Sequence, residues 1–133
     1  MSRQHCRIHL APDYANLLLL EDFIFGCPFL DESERNRAVL IVTEYFDNII
    51  SHSYSRFHCD IAISVHKDKQ VRIVIRYYTH NFSEMLKAER VTLPHFDSKS
   101  DRYRGLGLRM CRNLASEIRY RKGLFKSFII ITL

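Results

Sequence analysis

A chain of 133 residues in which 47% are apolar or aromatic and 26% are charged has the composition of one globular unit and lacks the low-hydrophobicity bias of a disordered chain. The run Leu17 to Leu20 halts at Glu21 and Asp22, far short of a bilayer span, and the start MSRQHCRIHL has no apolar export core. Four scattered cysteines without a CxxC pair argue against a disulfide framework. A net charge of +5 suits an acidic partner but does not choose between a nucleotide, an acidic protein and nucleic acid. These features predict one cytoplasmic domain spanning residues 1–133, folding alone or as a simple oligomer such as a homodimer, with no membrane partner.

In chain order, Arg7 to Leu10 reads as a short strand, and Tyr14 to Phe25 as a helix capped by Asp13 and halted at Gly26, Cys27 and Pro28. A longer helix is predicted from Asp31 or Ser33 to Ser51. Val39, Val42, Phe46, Ile49 and Ile50 form its apolar stripe, and Asp31, Glu32 and Glu34 suit the positive end of its dipole. Cys59 to Val65 and Val71 to Tyr78 alternate with period two around the turn HKDKQ, an antiparallel hairpin. Asn81 to Arg104 has no sustained period and reads as a long loop with one helical turn at most. A final helix from Gly105 to about Glu117 would present Leu108, Cys111, Leu114 and Ile118. Ile118 to Lys122 and Phe125 to Leu133 would then close a second hairpin through Gly123. Strands and helices mixed in blocks favour a two-layer α/β sandwich with helices on one sheet face.

Two constellations carry chemistry. Glu44, Asn48 and His52 stand at i, i+4 and i+8 of the long helix and so share one face. Asn is a poor helix-interior residue, and a polar stripe beside an apolar one must find partners, line a cavity or face solvent. Arg104-Gly105-Leu106-Gly107-Leu108 sets two glycines directly before an amphipathic helix. Bare backbone N–H groups and a dipole end can cradle a phosphate there, although the same glycines also serve a tight loop-to-helix turn.

Together and in this order, the two segments resemble the GHKL, or Bergerat-fold, histidine kinase-like ATPase domain, and within it the anti-sigma-factor serine/threonine kinases. "VTEYFDNIISHSY" is similar to the N box of that branch, and "RGLGLRMCRNLASEIRYRKG" with the strand "KSFIIITL" to its glycine box and closing hairpin. The resemblance implies a two-layer sandwich with a mixed, mostly antiparallel sheet, and binding of ATP or ADP with Mg²⁺. It implies that Asn48 gives its side-chain oxygen to Mg²⁺, that Glu44 is the base accepting the proton of an attacking serine or water, and that His52 lies near the phosphates. Arg104, Gly105, Leu106 and Gly107 would hold the phosphates, and residues 81–104 would form the lid. The partners implied are an antagonist of the anti-sigma factor and a sigma factor, in partner-switching control of transcription.

One departure stands inside this match. The family carries an Asp-x-Gly box at the end of the second central strand, where the Asp reads adenine. Here the stretch is "IRYYTHNF", so that Tyr77 stands for the Asp and Thr79 for the Gly. Tyrosine lacks the paired acceptors of a carboxylate, and threonine places a Cβ where backbone must approach the ligand. Losing that bond is worth about 1.5 to 3 kcal/mol, roughly ten- to a hundredfold in affinity. A kinase with weakened ATP binding and a domain acting by protein contact alone are therefore both open. Tyr77, by its parity with Val71, Ile73 and Ile75, is predicted to point toward the helices. The seven histidines include no H-E-x-x-H motif, there is no G-x-S-x-G elbow, and the arginines and tyrosines of the glycine-box segment read as a solvated basic face.

Overall fold

The computed structural model describes residues 4–52, 60–78, 95–97, 102–104 and 106–133, the side chains of 52, 95–97, 102–104 and 106 excepted. Among the described residues seven strands and three α-helices follow in the order β1 (Gln4–Leu10), α1 (Leu17–Phe25), α2 (Glu32–His52), β2 (Ile61–Lys67), β3 (Val71–Tyr78), β4 (His95–Asp97), β5 (Arg102–Arg104), α3 (Leu106–Leu114), β6 (Glu117–Lys122) and β7 (Lys126–Thr132). Five strands form one sheet in the order β1-β2-β3-β7-β6. Every described pairing is antiparallel.

Period two decides which face of the sheet is covered. Ile61, Ile63 and Val65 of β2, Val71, Ile73, Ile75 and Tyr77 of β3, and Ile129 and Ile131 of β7 are all buried. They meet the stripe Ala38, Ile41, Val42, Tyr45, Phe46 and Ile49 of α2, together with Leu20 and Ile24 of α1 and Leu108 and Cys111 of α3. Each large aliphatic group removed from water in this layer is worth about 1.5 to 3 kcal/mol. The helices therefore lie on one face, with α2 packed on α1, α3 and β3, and the architecture is the two-layer sandwich that the sequence predicts.

Side chains set the element ends. Asp13 accepts from the Ala15 N–H at 2.9 Å, but the first turn after it, Tyr14–Asn16, is 3-10 rather than α. At the start of α2 the Asp31 carboxylate accepts from the Glu34 N–H at 2.7 Å, and Glu34 Oε1 accepts in return from the Asp31 N–H at 2.9 Å. This is a capping box. Lys67 Nζ of β2 donates to the same Glu34 oxygen at 2.7 Å and to the Phe29 carbonyl at 3.1 Å, tying the helix start to the sheet. The Glu34 backbone N–H is the chief cause that holds the Asp31 carboxyl below its ordinary value of 3.8. A carboxyl held below its ordinary value stabilises the fold above 3.8, and that stability is lost as the pH falls from there through the folded value. Asp31→Ala is accordingly expected to lower the melting temperature at neutral pH, with the deficit closing as the pH drops below 3.8.

Two sequence expectations are corrected. The last helix stops at Leu114, short of Glu117, because the N–H and the hydroxyl of Ser116 both donate to the Thr132 carbonyl, at 2.8 and 3.0 Å. That anchor draws the chain into β6, so Ile118 is a strand residue rather than part of the helix stripe. Within 81–104, His95–Asp97 pairs antiparallel with Arg102–Arg104 as a small ribbon rather than a loop. Three residues a side are too few for a periodic signal. The rest of that expected lid lies outside the described residues.

Candidate nucleotide site

The site is built where the middle of α2 meets the start of α3. Cys111 of α3 is fully buried, with its thiol 3.9 Å from the Ile41 carbonyl. This contact seats α3 against α2 one turn before Glu44. Asn48 is 6% exposed, and its Nδ2 donates to the Glu44 carbonyl at 2.8 Å and to Glu44 Oε1 at 3.3 Å. A carbonyl cannot donate, so the amide nitrogen must face it, and Asn48 Oδ1 is turned the other way.

Gly107 completes the contact from the other helix. A Cβ added to it would land inside the Glu44 carboxylate and against its Cγ. The two sequence segments therefore meet: Glu44, hydrogen-bonded to Asn48, lies against Gly107, with no side chain between that backbone and the carboxylate. His52 ends α2, but its side chain, Thr79, Gly105, and the side chains of Arg104 and Leu106 lie outside the described residues. Gly107→Ala should push Glu44 aside. Overpacking costs about 1 to 3 kcal/mol, and the better helix propensity of alanine returns about 1 kcal/mol. Thermal melts should therefore show a loss of no more than about 2 kcal/mol, while the Glu44 carboxylate moves in the NMR spectrum. An unmoved Glu44 would contradict the packing described here.

Tyr77 lies near the end of β3 in the main core cluster. It is 1% exposed, lies opposite the buried Ser127 of β7 and points toward the helices, as its parity predicts. Burial pushes its phenol far above the ordinary tyrosine value, so the ring enters the core neutral. Sequence reading passed over two further features. Asp47, 4% exposed, is a carboxylate buried beside Asn48, and an acid inside the apolar stretch YFDNII was its only signal. The Tyr45 and Tyr120 hydroxyls lie 2.5 Å apart, joining α2 to β6, and nothing local announces that pair.

A sheet covered on one face by helices, with Glu44 of the long helix set against Gly107 at the start of the next, is the two-layer arrangement expected of the histidine kinase-like ATPase class. A family model, the histidine kinase-like ATPase domain, matches residues 16–130, and the chain belongs to that family. Comparison with curated proteins gave no significant match. Among solved structures, the fold is similar to that in the crystal structure of the RsbU and RsbW domains of Rv1364c from Mycobacterium tuberculosis, with a TM-score of 0.65 and 18% identity over 96% of this chain. The match spans 31% of that longer chain, and at this identity it speaks for the fold alone.

Proposed function

We propose that residues 1–133 form an ATP-binding serine kinase domain of the anti-sigma-factor kind. On this reading it works in the cytoplasm in partner-switching control of transcription, phosphorylating a serine on an antagonist protein and so changing whether it holds the antagonist or a sigma factor. The observation that supports this is the packing of Glu44, hydrogen-bonded to Asn48, against Gly107. Mg-ATP, when bound, supplies a γ-phosphoryl group whose charge the metal neutralises. Asn48 would offer Oδ1 to the cation, a hard oxygen ligand of the type Mg²⁺ prefers. Asn48 would share the ion with phosphate oxygens of the nucleotide. Gly107 lets backbone approach an anion at the start of α3, with Gly105 beside it in sequence. Glu44 would take the proton of the seryl hydroxyl.

A second reading is favoured by Tyr77. Its buried ring fills space beside the helices where the family's adenine-reading Asp would stand, which supports regulation by protein contact with weak or no nucleotide binding. Calorimetric titration with Mg-ATP and Mg-ADP separates the two. Magnesium-dependent heat, together with label transferred from γ-phosphate-labelled ATP to a serine substrate, supports the kinase. No heat at millimolar nucleotide ends it in favour of contact alone.

A further inference from the structure

The face of the sheet turned away from the helices carries charge predominantly of one sign. Its residues are those of opposite parity to the core, and the register aligns them in rows. Arg7, Ser64, Val74, Ile130 and Arg119 form one row, and His9, Ala62, Arg76, Phe128 and Arg121 the next. Six cations stand here, Arg7, Arg72, Arg76, Arg119, Arg121 and Lys126, against one carboxylate within the strands, Glu117. Among the described residues only Arg119 of the six is paired with a carboxylate, that of Glu117 at 2.5 Å. Lys126 lies over the Tyr78 ring, 5.7 Å from its centre. Arg76 has its Nε enclosed and without a hydrogen-bond partner, so its stem lies along the sheet between Ala62 and Phe128.

The centre of this face is apolar apart from Arg76, and its margin is cationic. Val74, Ile130 and Phe128 are half-buried in the middle of the rows. A concavity of about 340 Å³ opens at the β2–β3 end, lined among others by His66, Lys67, Asp68, Arg72 and Thr132. At the β6–β7 turn, Leu124 and Phe125 are 88% and 63% exposed. An apolar centre, an arginine-rich surround and an anchoring hollow are the anatomy of a protein interface. Five strands about 4.8 Å apart and seven residues long present roughly 550 Å² in projection, which approaches the roughly 800 Å² per partner of a standard interface once side-chain relief is added.

We infer that this outer sheet face is a docking surface for an acidic polypeptide with apolar side chains at the centre of its contact. A second copy of the chain would set cations against cations. Single-stranded nucleic acid would want exposed aromatic platforms at the middle of the sheet, and here Phe128 is half-buried between Arg76 and Arg121, with Tyr78 already beneath Lys126. The inference stands on the outer face and goes beyond the nucleotide reading, so that either can fail without the other.

The test uses the full chain and a labelled amphipathic helical peptide with a glutamate face and a leucine face, with a lysine-for-glutamate peptide and an oligothymidylate of equal charge as controls. Amide NMR shifts are expected on β3, β6 and β7 with the acidic peptide and nowhere with the basic one. The affinity should fall roughly tenfold between about 50 and about 300 mM salt. Arg76→Glu with Arg119→Glu should weaken binding at least about tenfold, and Arg76→Gln with Arg119→Gln by less. Circular dichroism of both variants checks that the fold is kept. Shifts confined to the helix face, tighter binding of the oligothymidylate to the sheet, or a dimer in sedimentation that the charge reversals alter would each overturn the inference.

Discussion

Replacing Tyr77 by alanine is expected to remove about 3 to 5 kcal/mol of folding stability, read as a lowered midpoint in urea with an unchanged slope. The side chain is 1% exposed and belongs to the main core cluster with Ile75 and Phe46, so truncation opens a ring-sized cavity where backbone of β3 and β7 prevents collapse. Set against the roughly 5 to 15 kcal/mol of a whole domain, that loss brings the chain close to unfolding. Tyr77→Phe keeps the ring and should cost about 1 kcal/mol. The pH dependence has a definite sign. A phenol whose folded value is raised stabilises the fold below its ordinary value of 10.0, and that stability is lost as the pH rises from there toward the folded value. Tyr77→Phe should abolish this alkaline loss. Tyr77→Asp with Thr79→Gly should melt well below the parent when unliganded, because it buries a carboxylate, yet gain in melting temperature when Mg-ATP is added. A double variant as stable as the parent would show that position 77 is not the core position described here.

Asn48→Ala and Glu44→Gln are expected to separate binding from chemistry. Alanine is a better helix former than asparagine, so α2 should persist with little change in melting temperature. What Asn48→Ala removes is the oxygen turned away from Glu44, and with it magnesium-dependent nucleotide binding in calorimetry. Glu44→Gln keeps the size of the side chain that fills the space over Gly107 and keeps a partner for Asn48. Binding should survive, while phosphoryl transfer falls by about 10² to 10⁴ for want of a proton acceptor. Transfer at the parent rate in Glu44→Gln would remove Glu44 from the role of base. Magnesium-dependent binding retained in Asn48→Ala would place the cation elsewhere.

The sequence by itself determined the elements whose cause is local. The alternation in β2 and β3 turned Ile73, Ile75 and Tyr77 to one face, the stripe of α2 set Val42, Phe46 and Ile49 inward, and Asp13 marked a helix start, because periods of two and 3.6 residues are properties of adjacent backbone. The pairing of the glycine segment with the α2 polar face could be argued only from a resemblance, since nothing in either stretch refers to the other. Tertiary structure decided the rest. Gly107 meets Glu44 because α3 packs on α2 through Cys111, and α3 ends where the Thr132 carbonyl takes both donors of Ser116. The outer cationic face exists only once five strands from distant parts of the chain are set in register. Hydrogen-bond partners and strand order are choices between remote segments, made by burial and backbone satisfaction together, and a local pattern carries no record of them.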